Sequence, residues 1–416
     1  MTSTPAPVTA DDLHDRIEHL AAFNADRAAG GITREVYSPE YLEACRYVAG
    51  LMEAGGLQTR FDAVGNLFGL WEGTDPQTPR VLTGSHIDTT LNAGKFDGVV
   101  GVLGAIDAIE RLRSEGVKPR RGIEVVAFAG EEPRFGQGCT GSLVAVGSLT
   151  RGDLDDLCDR AGDSLAAVLR HAGFEPDRLQ DALIDPARYH GFVELHIEQG
   201  AVLEDAGMAI GVVTHIAAPH DLRLVLRGAA MHAGATPMVL RRDALAGAAE
   251  AVLALERLAC ESPSGRTVGT IGVVQVRPGA INVIPGEVEL EVDVRDVDET
   301  VRDAVVGAFL AEAKAIAGRR GLELTHTDIG RRTPAACDTG IVEAARSACV
   351  ELGVEHLDIV SGAYHDAMVL SAVMAMGMIF VPSVGGVSHS PLEHTDPADL
   401  ERGVAVLTRT LARLAA

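Results

Sequence analysis

Short apolar runs that alternate with helical patterns restrict the fold of this chain more than any other feature. Residues 123–129 form such a run, with the length expected of a strand that is buried on both faces. A strand pattern over 80–84 and a helical pattern over 99–112 precede it, and a helix over 164–171 and a strand over 191–196 follow it. This order predicts an α/β fold with a mostly parallel sheet and helices on both of its faces.

The rhythm of the sequence changes at about residue 221. The elements predicted there, in order strand, helix, strand, strand, helix, strand, span 222–226, 243–258, 268–276, 288–294, 301–317 and 322–327. This βαββαβ order predicts an inserted ferredoxin-like α+β domain. We expect a discontinuous sheet domain over 1–216 and 331–416, and an inserted domain over 217–330 whose open helix face or sheet edge serves dimerisation.

Composition limits the ligands that such a chain binds. A chain of 416 residues is long for a single core, so two domains, or one domain with a large insertion, are expected. The net charge of −23 and the aromatic content of only 4% argue against a nucleic-acid surface, because phosphate binding requires a basic patch and stacking rings. Small molecules and metal ions are better candidates.

Compartment signals favour the cytoplasm. Residues 1–7 lead into an acidic segment without the basic and apolar regions of a secretory signal. The most apolar stretch, 368–382, falls short of the roughly 20 residues of a bilayer span, so we expect a buried helix followed by a core strand and no contact with a membrane. The six cysteines lack CxxC spacing and are typical of reduced, mostly buried thiols.

Two adjacent carboxylates, Glu131 and Glu132, follow the apolar run at 123–129. Carboxylates that emerge from a buried strand are unfavourable unless a positive group neutralises them, and a metal ion would do so. The pair therefore suggests a division of roles, in which one glutamate binds metal and its neighbour moves protons.

Other candidate ligands follow or end predicted strands, which is where such sheets bind ligands. His86 and Asp88 come just after a strand, so the histidine can bind a metal while Asp88 orients its ring from behind. Asp97 is in a tight loop, where a carboxylate can bridge two ions about 3.5–4 Å apart. The remaining ligands would be Glu132, His196 and His389. Mixed histidine and carboxylate ligation suits zinc, manganese or cobalt.

Each of these motifs also has an ordinary structural interpretation. A His-x-Asp motif can be a hydrogen-bonded loop, a glutamate pair can be a solvated turn, and His389 or His394 can be a plain loop residue. Because five candidates each lie beside a predicted strand end or tight turn, the metal site is the favoured interpretation.

Longer motifs resemble the M20 metallopeptidase-related amidohydrolases, and more narrowly their hydantoinase/carbamoylase branch. They occur in order from about residue 84 to residue 394, and HIEQG and HAGATPM are the most specific. The motifs are GSHIDT (84–89), FDGV (96–99), EEP (131–133), ELHIEQG (194–200), MHAGATPM (231–238), NVIPG (282–286), DVR (293–295), SGAYHDA (361–367) and PSVGGVSH (382–389).

The resemblance implies a catalytic sheet domain that holds two divalent metal ions per subunit, zinc, manganese or cobalt. The implied ligands are His86, Asp97 as the bridge, Glu132, His196 and His389. Glu131 would be the general base, with Asp88 supporting the ring of His86. The inserted domain would serve as a lid and as the interface of a homodimer.

The resemblance also implies residues that contact the substrate. Gln199, Asn282 and Arg295 would bind it, with Arg295 gripping a carboxylate, a contact that suits the planar guanidinium. His232 and His365 would stabilise the oxyanion, and His232 would do so in the site of the neighbouring subunit.

Several of these residues have alternative interpretations. His232 is otherwise a turn histidine, and Arg295 otherwise forms an ion pair with Asp293 or Asp296. Asn282 otherwise caps the turn before Pro285, and Gln199 otherwise forms hydrogen bonds only within its own loop.

The sequence departs from the family pattern at three places, which affect the expected glutamate loop, substrate pocket and last metal ligand. Only Pro133 separates the glutamates from Arg134, where two residues are usual, so this loop would be reshaped. Tyr364 occupies a position that is commonly glycine, and would narrow the pocket or add a hydroxyl contact to the substrate. The ending of the SHxPxE-like motif is unfamiliar, which leaves His394 as a competitor of His389 for the metal.

These features predict a metal-dependent amidohydrolase that acts on a small molecule. The favoured substrate is an N-carbamoyl-L-amino acid, giving the amino acid, ammonia and carbon dioxide. Allantoate amidohydrolase, β-ureidopropionase and M20 aminoacylase or dipeptidase activities are alternatives. An alternative from another class is a non-catalytic relative that binds a ligand, although such a module has no need of a proton shuttle at Glu131.

Overall fold

The computed structural model describes residues 10–416, so the expectation about residues 1–7 lies outside the described residues. The chain divides into two compact units. The first extends to Thr214 and takes in Cys337–Ile359 and His365–Ala416, and the second comprises His215–Ala336 and Val360–Tyr364. The inserted domain predicted over 217–330 falls within the second unit.

The first unit is built on a nine-stranded sheet. Its strands are β1 (Gln58–Phe61), β2 (Leu67–Trp71), β3 (Arg80–His86), β4 (Ile123–Phe128), β5 (Tyr189–Ile197), β6 (Ile210–Ile216), β11 (Ala335–Ala336), β12 (His356–Ser361) and β13 (Met376–Val381). Their order is β1-β2-β4-β3-β5-β13-β6-β11, and β12 also pairs with β6. Strand β11 and the last two residues of β6 and of β12 lie in the segments assigned to the second unit.

The four central strands, β4, β3, β5 and β13, are parallel and almost wholly buried, which is why they appear as short apolar runs. The predicted α/β class is therefore confirmed. The outer pairs β1–β2, β2–β4, β13–β6 and β6–β11 are antiparallel, which the sequence did not predict. Of these pairs only β1 and β2 are joined by a short turn, and the partners in the other three pairs are far apart in the chain, so no local pattern indicates how they pair.

Helices cover this sheet. They are α1 (Ala10–Ala21), α2 (Pro39–Ala54), α3 (Val99–Ser114), α4 (Thr140–Ala145), α5 (Asp153–Asp156), α6 (Leu165–His171), α7 (Val202–Ala206), α10 (Thr339–Leu352), α11 (Asp366–Leu370) and α12 (Pro397–Leu414). Helix α3 is buried from Val99 through Ile109. Gly101 allows α3 to approach β5, because a Cβ atom there would lie 2.5 Å from the carbonyl oxygen of Leu195. The burial of α3 fixes the loop that precedes it, which carries Asp97.

The second unit is a four-stranded antiparallel sheet covered by two helices. Its elements are β7 (Ala218–Arg227), α8 (Ala244–Cys260), β8 (Val268–Arg277), β9 (Glu287–Asp296), α9 (Glu299–Arg320) and β10 (Glu323–Arg331), with strand order β10-β7-β9-β8. This is the predicted ferredoxin-like arrangement. Alternate residues of β9, from Val288 to Val294, are buried in the apolar core of this unit, while β8 forms one edge of the sheet.

Two expectations from composition can also be compared with the structure. All six cysteines are free thiols, and four of them are buried. Within residues 10–416, no helix combines the length and the apolar character that crossing a membrane requires.

Candidate metal centre

The candidate ligands converge at the carboxyl edge of the parallel strands. His86 is the last residue of β3 and is in register with the last residue of β4. His196 lies near the end of β5, which flanks β3 on its other side. Because parallel strands end at the same edge of a sheet, the loops that carry Asp97, Glu131 and Glu132 meet there.

A first group of potential ligand atoms belongs to His86, Asp97 and His196. All three side chains are buried, and their ligand atoms lie within 4.8 Å of one another. Oδ1 of Asp97 lies 3.5 Å from Nε2 of His86 and 3.3 Å from Nε2 of His196. One carboxylate oxygen therefore faces two imidazole nitrogens.

Backbone carbonyl groups set the tautomers of both histidines. Nδ1 of His86 lies 3.1 Å from the carbonyl oxygen of Asp88, and Nδ1 of His196 lies 2.9 Å from that of Ile197. A carbonyl only accepts hydrogen bonds, so in the neutral rings Nδ1 carries the hydrogen and Nε2 keeps its lone pair. Nε2 of each neutral ring then faces Oδ1 of Asp97 with a lone pair, and the lone pair of His196 also accepts the backbone N–H of Gly98 at 3.2 Å. A cation bound among these three atoms would remove the remaining repulsion. The donor set fits a divalent metal ion.

A second group of potential ligand atoms belongs to Asp97, Glu132 and His389. Nε2 of His389 lies 3.2 Å from Oδ2 of Asp97 and 3.4 Å from Oε1 of Glu132. Asp97 is thus shared between the two groups and offers a different oxygen to each. This arrangement suits a carboxylate that bridges two ions.

His394, the competitor of His389, points elsewhere. Its Nε2 lies 3.2 Å from Oδ1 of Asp396, and its ring meets the ring of Phe96 edge-on at 5.8 Å. Among the described residues, the groups able to hold a metal include His389 and leave out His394.

The carboxylate of Asp88 makes a different contact from the one expected. Its Oδ1 lies 3.7 Å from Nδ1 of His86, and the nearer atom is the carbonyl oxygen of Asp88 itself. Oδ2 of Asp88 instead accepts the backbone N–H of Glu132 at 3.0 Å. Asp88 therefore supports the ring through its main chain and the glutamate loop through its side chain.

The pKa values of side chains in the centre are shifted because several carboxylates are buried close together. Burial, reinforced by Asp97, raises the pKa of Glu132 to about 7. Burial likewise raises the pKa of Glu131 well above its ordinary value. Against the effect of burial, Glu131 and Asp97 raise the pKa of His86 well above the usual histidine range. A divalent cation bound here would compete with protons for these groups and so lower their pKa values.

Glu131 lies beside the first group without belonging to it. Its Oε2 lies 3.8 Å from Nε2 of His86, and its Oε1 lies 3.6 Å from the Sγ atom of Cys139, which donates to it. The shortened loop turns back at once, because the backbone N–H of Arg134 donates to the carbonyl of Glu132 and that of Cys139 donates to the carbonyl of Glu131. Glu131 is therefore held against the centre by the loop that follows it.

His365 also lies next to the first group. Its ring is buried and meets the ring of His196 edge-on, with 4.6 Å between centroids. Burial, with the nearby His196, lowers the pKa of His365 well below its ordinary value. A neutral imidazole here can donate one N–H without carrying charge into the centre.

Gln199 bonds to the bridging aspartate. Its Nε2 donates to Oδ2 of Asp97 at 2.6 Å, while its Oε1 is buried and accepts no hydrogen bond within the described chain. Gln199 and His389 both have left-handed backbone conformations, with φ of 59° and 53°. Strain of this kind is retained where the surroundings hold a side chain in one place.

Sequence reasoning missed two residues of this centre, Ser388 and Glu393. Oγ of Ser388 lies 2.9 Å from Oδ2 of Asp97 and from Oε2 of Glu393. Glu393 also accepts backbone N–H groups of the loops that carry Asp97 and His389. The SHxPxE-like motif contains both residues, but the motif alone does not indicate what they contact.

His232 and Asn282 belong to the second unit. A β-bridge joins His232 to Val283, and the carbonyl oxygen of Asn282 accepts the N–H of Ala233 at 2.9 Å. Nδ1 of His232 accepts backbone N–H groups from two following residues at 3.1 Å each, so its Nε2 carries the hydrogen. The side chain of His232 is exposed and presents a hydrogen-bond donor.

Arg295 and Tyr364 also belong to the second unit. Arg295 donates to both carboxylate oxygens of Asp293 at 2.7–3.0 Å and to the carbonyl of Gly362 at 2.8 Å. The alternative ion pair with Asp293 is thus present. Arg295 also lines a cavity of about 550 Å³ within this unit. Tyr364 stacks on Arg332, with the guanidinium 4.7 Å from the ring centroid.

Comparison with known proteins agrees with this geometry. The model of Peptidase family M20/M25/M40 matches residues 82–413. A ureidoglycolate hydrolase from Arabidopsis thaliana is 43% identical over 414 residues, covering 98% of this chain and 87% of that protein. An N-carbamoyl-L-amino acid amidohydrolase from Geobacillus stearothermophilus is 43% identical over 389 residues, covering 93% and 94%. The crystal structure of a hydantoinase/carbamoylase family amidase from Burkholderia multivorans has a TM-score of 0.91 at 33% identity, covering 98% of both chains.

The chain belongs to peptidase family M20/M25/M40 and, within it, to the hydantoinase/carbamoylase amidohydrolases. The resemblance drawn from the motifs is confirmed. So is the class of reaction, the hydrolysis of amides or ureides.

Gly98 gives a test of the metal centre. Its φ is +65°, and a Cβ atom there would lie 2.4–2.5 Å from three atoms of the His86 ring. We expect Gly98→Ala to displace that ring and to weaken manganese binding at least about tenfold, as for other losses of ligand support. Calorimetric titration measures the affinity. The control is Gly50→Ala, a position on α2 with no atom within 4 Å of the added Cβ. Unchanged affinity in Gly98→Ala would contradict the assignment of His86.

Proposed function

We propose that this chain hydrolyses a C–N bond of an N-carbamoyl-L-amino acid with two divalent metal ions. The observation that carries the proposal is the sharing of Asp97 between two ligand groups, with Glu131 beside them. His86, His196, Glu132 and Asp97 would hold the ions together with His389. When bound, such ions polarise the carbonyl group and make water a better nucleophile.

Glu131 is the proton-transfer residue in this proposal. Its Oε2 lies 3.8 Å from Nε2 of His86 while Glu131 belongs to neither ligand group, which places a free carboxylate where it can remove a proton from the attacking water. The oxygen of that water forms a bond to the carbamoyl carbon, Glu131 returns the proton to the leaving nitrogen, and the C–N bond breaks. Ammonia leaves, and the remaining carbamic acid loses carbon dioxide to give the amino acid.

Two histidines are assigned to the developing oxyanion. His365 is neutral and beside His196, and His232 presents an Nε2 hydrogen because its Nδ1 accepts two backbone N–H groups. Donors that are oriented before the reaction stabilise such charge without reorganisation. We propose that His232 acts in the site of the neighbouring subunit, as the family resemblance implies.

Three residues are proposed to bind the substrate: Gln199, Asn282 and Arg295. Arg295 has the geometry to hold a carboxylate, although it must then share its N–H groups with Asp293 or release it. Tyr364 is proposed to line the same site. The ureidoglycolate hydrolase relative supports a second candidate substrate, because ureidoglycolate also carries a carboxylate next to a ureido group.

A homodimer in the cytoplasm is part of the proposal. Strand β8 is an unpaired edge of the second sheet, and Val268 and Val274 on it are about half exposed. An edge of this kind can pair with its copy about a two-fold axis. The second unit would then serve as dimerisation and lid domain, and the first as catalytic domain.

An ammonia-release screen tests the proposed function. Apo protein is reconstituted separately with manganese, zinc and cobalt and is given N-carbamoyl-L-amino acids, N-carbamoyl-β-alanine, allantoate and ureidoglycolate. We expect ammonia from N-carbamoyl-L-amino acids, and at least about tenfold less from the matching N-carbamoyl amino-acid amide, which lacks the carboxylate that Arg295 would bind. N-acetyl amino acids and dipeptides test the aminoacylase and dipeptidase alternatives. Bound metal with no ammonia from any ureide would refute the proposal and favour a ligand-binding relative.

Two inactive variants test the roles of Glu131 and His232 together. Glu131→Gln is expected to keep both metal ions and to lose turnover by about 10²–10⁴-fold, because it removes the general base and no ligand. His232→Ala is expected to lose turnover as well. When the two variants are mixed by co-expression, half of the dimers are mixed, and each mixed dimer has one site with both residues.

The mixture should therefore regain up to about a quarter of wild-type activity. Each variant mixed with itself is the control. No recovery in a mixture that sedimentation proves to be dimeric would place His232 in its own subunit's site or outside the reaction.

A further inference from the structure

Glu393 is a buried carboxylate that joins two loops. Its side chain is 4% exposed. Oε1 accepts the backbone N–H groups of Phe96 at 2.9 Å and Asp97 at 3.2 Å. Oε2 accepts the hydroxyl of Ser388 at 2.9 Å and the backbone N–H of His389 at 3.3 Å. Each oxygen therefore holds the loop of one candidate metal ligand.

These two loops are far apart in sequence. Glu393 lies 297 positions from Phe96 and 296 from Asp97 in the chain. The loop of Asp97 leads into α3, whereas that of His389 follows β13. Glu393 connects them directly, and the Ser388 hydroxyl lies 2.9 Å from a carboxylate oxygen of both Glu393 and Asp97, so its one hydrogen is shared between the two. The distance between Asp97 and His389 is thus set by hydrogen bonds to one carboxylate.

Gly94 makes room for this carboxylate. A Cβ atom at position 94 would lie 2.1 Å from Oε1 of Glu393 and 2.2 Å from its Cδ. The clash would be with the part of Glu393 that accepts the hydrogen bonds, so any side chain at position 94 would move the carboxylate. The glycine at position 94 is therefore needed for the Glu393 carboxylate to occupy its present position.

The hydrogen-bond donors around Glu393 all belong to the two loops that carry candidate metal ligands. A buried carboxylate that only stabilised the fold could accept hydrogen bonds from any nearby donors. Removing a carboxylate from water is unfavourable by several kcal/mol unless donors compensate for the loss. Here all four donors come from residues 96–97 and 388–389, which include the ligand shared by both metal groups and a ligand of the second. The partners of a metal ligand commonly set its orientation and the affinity of the site.

We propose that Glu393 is a positioning residue for the metal centre. It fixes Asp97 and His389 relative to each other and so determines the affinity of the metal position that Asp97, Glu132 and His389 form. The position formed by His86, Asp97 and His196 depends on it less, because two of its three ligands lie on strands. This inference rests on the proposed two-metal function.

The variant Glu393→Gln tests the inference. It keeps the shape of the side chain but turns an amide N–H₂ toward donors in one of the two loops. We expect one of the two manganese affinities to fall about 10–100-fold and the other to change much less. Calorimetric titration of the full chain gives both affinities, and thermal melting without metal gives the stability of the apo protein.

The matched control is Glu124→Gln. Glu124 is equally buried, but it lies at the other end of β4 and bonds to Arg60 and Tyr189. The Glu124→Gln variant is expected to have a lower melting temperature than the wild type and unchanged manganese affinities. A second variant, Gly94→Ala, displaces the Glu393 carboxylate while keeping its charge, and is expected to weaken the same manganese position.

The outcomes separate the inference from the function on which it rests. A wild-type chain that binds no manganese would overturn both. Two manganese ions in the wild type, with unchanged affinities in Glu393→Gln and Gly94→Ala, would overturn the inference alone. Equal losses at both positions, or an equal loss in Glu124→Gln, would also overturn it, because they would indicate general destabilisation.

Discussion

The contacts of the Asp97 carboxylate with three histidines are the interaction on which the rest of the centre depends. One of its oxygens faces His86 and His196, and the other faces His389. A short loop between a buried strand and the buried helix α3 could move easily, yet this one is fixed on every side. The approach of Gly98 to His86, the amide of Gln199 and the hydroxyl of Ser388 all constrain it.

The centre concentrates buried acids in a way that only positive charge compensates. Glu131, Glu132 and Asp97 lie together, and burial raises the pKa values of both glutamates. A protein core would not retain such a group for stability, because neutral residues pack there with no desolvation penalty. A divalent cation would supply that charge, and Glu131, which lies beside the candidate ligands, would remain available for proton transfer.

Sequence patterns predicted those parts of the structure that are determined by residues close together in the chain. Continuous apolar runs indicated the parallel strands, and the residues at their ends indicated the candidate metal ligands that the structure brings together, because parallel strands bring their carboxyl ends together. The alternation along β9 indicated the second sheet. The antiparallel pairs of the large sheet, such as β2–β4 and β13–β6, were missed because their strands are distant in the chain and no local pattern indicates which strands pair.

Contacts between distant loops had no sequence signal of their own. The proposed role of Glu393 depends on hydrogen bonds from backbone N–H groups almost 300 positions away, and any residue type except proline can supply those groups. The same holds for Asp88, whose spacing from His86 was clear although its carbonyl, and not its carboxylate, lies nearer the ring. The ion pair of Arg295 with Asp293 was foreseen only as an alternative, because both lie on one strand.

The central claim is that Asp97 joins two metal ions. Crystals of the full chain grown with manganese test it directly through the anomalous scattering of that metal. The account predicts two anomalous peaks per chain, one on each side of the Asp97 carboxylate, with His86 and His196 at one and Glu132 and His389 at the other. A single peak, or two peaks of which one does not contact Asp97, would contradict it.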